Sequence, residues 1–212
     1  RADYFANITL VDRMVGRIVD SLKANGLYDN TIIVFTSEHG EMMGDHGMLE
    51  KRTLYEESSR VPMLIKLQNQ NDMKKIKGSF SHIDLVPTLL SKINQKLPEN
   101  LQGKDRSYAF EELDFGSNEV VVSWNGTGEI DDRNLGTEKI NDLNQNPRRS
   151  IIINRIKLNL TLNDSGELFD LNNDPYEETN LIDSPEYQET KNIMKEKLIE
   201  WQIKNEDNFR FD

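Results

Sequence analysis

The 212-residue sequence contains no cysteine, so cysteine usage gives no indication of its redox compartment. No apolar run approaches 18 residues, which excludes a transmembrane helix. Basic residues are in the minority, with 26 Lys and Arg against 37 Asp and Glu, and the formal net charge is −11. General nucleic-acid binding needs a basic footprint and is therefore not expected. The acidic residues are spread along the chain, a pattern typical of a solvated surface.

The chain is long enough for one substantial core, or for a core with a small subdomain. Its first part shows long apolar patterns, whereas short β-type runs dominate after residue 105. We therefore predict two domains, residues 1–105 and 106–212. No signal peptide begins at Arg1, and we leave open whether the protein is periplasmic, extracellular or cytoplasmic.

The first part predicts alternating helices and strands. Apolar residues at 3.6-residue spacing indicate a helix over residues 2–24, with Val11 and Ile18 on its apolar face. A buried strand over residues 31–35 follows, and together they form half of a doubly wound α/β unit. A second strand is predicted over residues 63–67, and a second helix over residues 81–92.

The second part predicts a small antiparallel sheet with one packed helix. The β-type runs cover residues 119–124, 150–159 and 168–171. A polar insert over residues 126–146 is expected to be a surface loop. The C-terminal helix spans roughly residues 185–204 and has Met194, Leu198 and Trp201 on its apolar face.

The most informative stretch is residues 29–66. The first strand runs directly into Glu38 and His39, and Gly40 is expected to let the backbone turn. In open α/β sheets, ligands bind outside the carboxyl ends of the strands. Two cations, Lys51 and Arg52, follow thirteen and fourteen residues after Glu38. A carboxylate, an imidazole and an ammonium group in this order can hold a metal ion and a substrate oxyanion, which favours a hydrolase site.

The same stretch resembles the sulfatase family of the alkaline-phosphatase-like superfamily, and further motifs follow in the family's order. The residues that carry the resemblance are Thr36-Ser37-Glu38-His39-Gly40, Gly44-Asp45-His46-Gly47, Lys51, Tyr55-Glu56, Arg60-Val61-Pro62, Ser81-His82-Ile83-Asp84-Leu85-Val86-Pro87-Thr88-Leu89-Leu90, Leu101-Gln102-Gly103-Lys104, Glu167-Leu168-Phe169-Asp170-Leu171 and Asp174-Pro175-Tyr176-Glu177-Glu178-Thr179-Asn180-Leu181. The resemblance covers nearly the whole chain. It implies the C-terminal part of an alkaline-phosphatase-like α/β sandwich, followed by a small antiparallel sheet with a packed C-terminal helix.

The resemblance also implies residue roles. Glu38 and His39 are expected to bind a divalent metal, most often Ca²⁺, with His39 also placed against the nucleophile. Lys51 is expected to contact the sulfate and to protonate the leaving oxygen. Arg52 and His46 are expected to bind substrate, although His46 has the alternative of bracing its loop. Glu38 departs from the Asp usual in the family, and its extra methylene moves the carboxylate outward by about 1.5 Å.

The family nucleophile, a formylglycine made in a C/S-x-P-S-R motif, has no counterpart in this sequence. The resemblance therefore implies a C-terminal fragment of a sulfatase that is inactive alone and needs its own N-terminal half. The expected substrate is a sulfated small molecule or carbohydrate. Two alternatives stay open: a phosphonate or phosphodiester hydrolase of the same superfamily, and a non-catalytic sulfatase-like binding protein.

Overall fold

The computed structural model of the chain describes residues 1–116, 119–125, 146–162, 165–209 and 211. The chain forms two compact units, Arg1–Met73 and Lys74–Asp212. The predicted domain boundary after residue 105 stays a prediction. The polar insert predicted over residues 126–146 lies outside the described residues up to residue 145.

Helix α1 (Ala2–Ala24) has the bounds that the sequence predicts. It ends in a Schellman motif: the N–H groups of Gly26 and Leu27 donate to the carbonyls of Lys23 and Leu22. Gly26 takes a left-handed φ of 68° at this point, which glycine adopts at low cost. All of α1 is described and none of its residues is buried, and Val11 and Ile18 of its predicted apolar face are exposed to solvent in this chain.

Strands β1 (Ile33–Thr36) and β2 (Met63–Lys66) form an antiparallel pair in the first unit. A doubly wound sheet would place a parallel strand beside β1, whereas β2 runs antiparallel to it. Strand β1 begins two residues later than predicted because Thr31 belongs to the preceding turn, where its hydroxyl donates to the Leu27 carbonyl at 2.7 Å. Its residues are half-buried rather than buried.

The first unit also contains the short helix α2 (Glu56–Ser59). In the second unit, a 3₁₀ turn at His82–Asp84 continues into α3 (Leu85–Lys92). Asp84 is buried and forms an ion pair with Arg106 at 3.2 Å. The Thr88 hydroxyl accepts the Arg106 N–H at 3.0 Å. These contacts tie α3 to the segment that leads into α4 (Ala109–Glu112).

Four strands form an antiparallel sheet in chain order, namely β3 (Glu119–Trp124), β4 (Arg148–Ile153), β5 (Ile156–Thr161) and β6 (Glu167–Asp170). The single run predicted over residues 150–159 is wrong, because the chain reverses at Asn154 and Arg155. Both residues have left-handed φ values, 50° and 65°, as a two-residue hairpin of type I′ requires.

Helix α5 (Gln188–Lys204) follows a 3₁₀ turn at Pro185–Tyr187 and packs on this sheet. The core cluster consists of Ile151, Leu158, Leu168, Ile182, Met194, Leu198 and Phe211. Burying each aliphatic side chain stabilises the fold by about 1.5–3 kcal/mol relative to exposure. The small antiparallel sheet with a packed C-terminal helix is thus confirmed, with Met194 and Leu198 buried and Trp201 partly buried as predicted.

The segment between β6 and α5 is held by buried polar contacts. Glu177 and Lys157 form an ion pair at 2.9 Å with both side chains fully buried. The Asn180 side-chain oxygen accepts the N–H groups of Leu168 and Ile182. The family-like stretch over residues 174–181, which contains Glu177 and Asn180, therefore stabilises the sheet. Within the described residues, no helix has the length and hydropathy needed to cross a membrane.

Candidate functional site

Glu38 and His39 lie just beyond the carboxyl end of β1, where the sequence places them. The His39 Nε2 atom is 3.1 Å from Glu38 Oε1, and the Glu38 side chain is 82% exposed. His39 Nδ1 is 2.7 Å from the Gly40 carbonyl oxygen. A carbonyl only accepts hydrogen bonds, so this contact requires the tautomer with a proton on Nδ1, and Nε2 is the ring atom that faces Glu38.

Lys51 reaches the same carboxylate, with its Nζ atom 4.0 Å from Glu38 Oε1. The structure therefore brings Glu38, His39 and Lys51 together, although Lys51 is thirteen residues away in sequence. The two charged side chains are exposed, and exposed ion pairs of this kind contribute between zero and about 1 kcal/mol to stability. Mutual attraction is too weak to explain why Lys51 lies here.

Backbone pairing positions the residues that follow His39. The N–H groups of Gly40 and Glu41 donate to the carbonyls of Ser58 and Glu57, both at 2.8 Å. A Cβ atom on Gly40 would lie 1.8 Å from the Glu57 carbonyl oxygen. Gly40 is thus required for the close approach of two backbone segments, rather than for the turn that the sequence predicts.

His46 and Arg52 make other contacts. The His46 ring stacks on Tyr55 with centroids 4.0 Å apart and planes 3° apart, on a left-handed backbone with φ of 52°. Arg52 points toward Glu50, with Nε 3.6 Å from Oε2, and only 17% of its side chain is exposed. The stacking fits the alternative in which His46 braces its loop. Substrate binding by His46 and Arg52 stays a prediction.

The fit of a metal ion depends on the ligands that this chain offers. Glu38 Oε1 and His39 Nε2 form one adjacent pair of possible ligand atoms. Across the described ranges, no group of three or more His, Asp or Glu side chains is placed to hold a metal. Ca²⁺ takes about six to eight oxygen ligands. These residues fit part of a metal site, and metal binding stays a prediction.

Two residues of the site's framework were missed in the sequence. Glu41 accepts the Glu50 N–H at 2.7 Å, and the buried Ser58 donates its hydroxyl to the Lys51 carbonyl at 2.5 Å. Their partners are backbone groups distant in sequence, which no spacing of residue types reveals. A Glu directly after the His-Gly pair was the only available signal.

Comparison with known proteins identifies the family. The Sulfatase family model matches residues 1–94. Over 208 residues the chain is 32% identical to the uncharacterized sulfatase YidJ of Escherichia coli K12. This match covers 98% of this chain and 39% of that protein. The chain belongs to the sulfatase family. This sulfatase chain therefore spans about two fifths of the length of that relative.

Solved structures show the same fold. The structure of BT4656 in complex with its substrate D-glucosamine-2-N,6-O-disulfate superposes with a TM-score of 0.78 at 27% identity, over 97% of this chain and 41% of that one. A phosphonate monoester hydrolase of Silicibacter pomeroyi gives a TM-score of 0.76 at 24% identity, over 93% and 40% of the two chains. The latter likeness shows the shared alkaline-phosphatase-like fold alone. The predicted α/β class is confirmed.

Proposed function

We propose that the complete protein hydrolyses sulfate esters and that this chain supplies part of its metal and sulfate site. The proposal is carried by the placement of Glu38, His39 and Lys51 beyond the end of β1. His39 Nε2 and Lys51 Nζ both lie within 4.0 Å of Glu38 Oε1. The motif resemblance implies roles for the same three residues, which supports the proposal.

Lys51 binds and activates the ester. Its side chain is 44% exposed, and its ammonium group can reach a substrate oxygen next to Glu38. A cation at this point neutralises the negative charge that develops on sulfate and leaving oxygen as the ester bond breaks. The same group can donate a proton to the departing oxygen, which makes the alcohol a better leaving group.

Glu38 and His39 would hold a divalent ion, with Ca²⁺ as the first candidate. The Nδ1–H bond to the Gly40 carbonyl fixes the His39 ring and leaves Nε2 directed at Glu38. A bound divalent ion would supply positive charge that polarises the sulfate group. The Glu38 side chain is one methylene longer than the Asp usual in the family, so its carboxylate would meet the ion about 1.5 Å farther along the side chain.

The remaining parts of the site lie in sequence that this chain does not include. We propose that the nucleophile is a formylglycine, located in an N-terminal half that also completes the metal ligands. The exposed apolar face of α1, which includes Val11 and Ile18, is a surface for that half to cover. The 212-residue chain is accordingly expected to have no sulfatase activity alone.

The substrate is expected to be a sulfated carbohydrate or a small sulfate ester. The structurally similar BT4656 binds a doubly sulfated glucosamine, which supports a sulfated sugar as the first substrate class to examine. An exposed Glu38–Lys51 pair is accessible to a substrate of this size.

The test is sulfate release by the complete protein from a nitrophenyl sulfate panel and sulfated sugars, with and without chelator. Glu38→Ala and Lys51→Ala are each expected to lower kcat/KM by about 100- to 1,000-fold, the usual cost of losing a charge-stabilising group. Lys75→Ala, an exposed lysine of the second unit, is the matched control and should retain full activity. Undiminished activity in both site variants would refute these roles.

A phosphonate or phosphodiester hydrolase is the second candidate, since a phosphonate monoester hydrolase shares the fold. Adding phosphonate monoesters and phosphodiesters to the same panel separates the two activities by their kcat/KM values. Binding of sulfated ligands without turnover of any ester would instead favour a non-catalytic binding protein.

A further inference from the structure

The loop between Glu41 and Lys51 has an unusual backbone. Met43, His46 and Glu50 have left-handed φ values of 54°, 52° and 68°, although none is glycine. Residues with a Cβ atom avoid this region, and several in one short loop persist only where surrounding contacts hold them. Contacts close to Lys51 must therefore hold the loop in this conformation.

The Glu41 carboxylate provides such contacts. Its Oε1 atom accepts the Met43 N–H at 3.3 Å and the Glu50 N–H at 2.7 Å, so one oxygen joins both ends of the loop. The adjacent Met42 N–H donates to the Glu50 carbonyl at 2.8 Å. Glu50 is thereby fixed through both its N–H and its carbonyl, one residue before Lys51.

Lys51 is held from its other side as well. The Ser58 hydroxyl donates to the Lys51 carbonyl, and Ser58 itself is buried beside the paired segments that carry Gly40 and Glu41. By contrast, the Lys51 ammonium has an exposed contact at 4.0 Å to Glu38. The backbone contacts, rather than the ion pair, therefore determine where the Lys51 backbone lies and from which point its side chain starts.

We propose that Glu41 is a positioning residue for Lys51: by accepting the Glu50 N–H it directs the Lys51 side chain toward Glu38. This inference rests on the role proposed above for Lys51. It predicts that the acceptor oxygen matters more than the negative charge. Glu41→Gln retains an acceptor oxygen of similar reach, whereas Glu41→Ala removes it.

A double-mutant cycle in the complete protein tests the link to Lys51. Glu41→Ala should lower kcat/KM on a sulfate ester by about 10- to 100-fold, the scale of a catalytic group misplaced by about 1 Å. Glu41→Gln should stay within about threefold of wild type. In the Lys51→Ala background, Glu41→Ala should cause little further loss, because the group it positions is already absent.

Hydrogen exchange at the Glu50 amide provides a readout independent of activity. Protection should be lost in Glu41→Ala and kept in Glu41→Gln. Asp45→Ala is the matched control, because Asp45 is an acid of the same loop whose carboxylate binds Arg1 at 2.8 Å rather than the loop backbone. It should keep both the protection and the activity.

The outcomes separate the two claims. Unchanged Glu50 protection in Glu41→Ala, or an equal kinetic loss with and without Lys51, would overturn the positioning role alone. Wild-type activity in Lys51→Ala would overturn the proposed role of Lys51, and the positioning inference with it. Loss of protection together with a non-additive kinetic loss would establish Glu41 as the residue that positions Lys51.

Discussion

At the scale of single residues, Gly40 shows how the site depends on backbone proximity. The N–H of Gly40 donates to the Ser58 carbonyl, and this bond holds the backbone next to His39 against the segment that contains Ser58. The neighbouring Glu57 carbonyl occupies the space in which any side chain would begin. A larger residue must push the two segments apart and so separate His39 from the segment that holds Lys51.

Gly40→Ala is therefore expected to reduce both stability and activity. The Cβ atom would lie 1.8 Å from the Glu57 oxygen, and relieving this overlap should lower the free energy of unfolding by about 1–3 kcal/mol. Gly16→Ala is the matched control, since nothing lies within 4 Å of its Cβ position in α1. It should be neutral or stabilising by up to about 1 kcal/mol. Urea unfolding of the complete protein measures both, and equal effects would contradict the explanation.

Residue types predicted part of this site, and backbone contacts supplied the rest. Glu38, His39 and Lys51 stand out in the sequence because charged side chains follow a strand end in a family-like order, and the structure brings them together. Glu41 and Ser58 do not stand out. Each binds a main-chain group, and every residue offers the same main-chain groups, so no pattern of residue types marks such a contact.

At the scale of elements, regular periodicity predicted helices better than hairpins. Helix α1 was predicted to the residue because a 3.6-residue apolar period and Gly26 mark its length and end. The β4–β5 hairpin was missed because its turn, at Asn154 and Arg155, contains no glycine. Arg155 accepts this strained conformation where its guanidinium donates to the Leu171 carbonyl at 2.5 Å, a contact formed only in the folded sheet.

The segment after α5 is anchored to β4 by an ion pair that spans 58 positions of sequence. The Arg149 Nε and Nη2 atoms each lie 2.8 Å from a carboxylate oxygen of Asp207, and both side chains are at least 90% buried. These hydrogen bonds from Arg149 lower the pKa of Asp207, and burial acts in the opposite direction without cancelling them. The charged form of Asp207 is the one that stabilises the fold.

Asp207→Asn is expected to destabilise the protein in a pH-dependent way. A lowered folded-state pKa means that the stabilisation is complete above the unfolded pKa of about 3.9 and is lost as pH falls through the folded value. The variant should lose about 3–5 kcal/mol at pH 6–7, and the difference should shrink below about pH 4. Urea unfolding followed by tryptophan fluorescence measures it, because Trp124 and Trp201 both belong to the second unit. Exposed Asp183→Asn, the control, should show a small difference at every pH.

At the scale of the whole molecule, α1 presents a long apolar surface that the chain itself does not cover. Val11 is 49% exposed and Ile18 is 61% exposed, and both lie on the apolar face that the sequence predicts. Exposed apolar patches of this kind mark surfaces that contact another segment or protein. The proposed N-terminal half is the occupant that the family resemblance implies.

Aspartate at either of two positions on this face should therefore be favourable in the 212-residue chain and unfavourable in the complete protein. Val11→Asp and Ile18→Asp are expected to raise the solubility of the 212-residue chain and to reduce its binding of a hydrophobic dye, because they replace exposed apolar area. In the complete protein they should lower the free energy of unfolding by about 1–3 kcal/mol each, since a covered face would then hold an unpaired polar group. Thr9→Asp, on the opposite face of α1, should have little effect on either. If the complete protein tolerates aspartate at both apolar positions, the N-terminal half does not cover α1, and the dye-binding face must have another occupant.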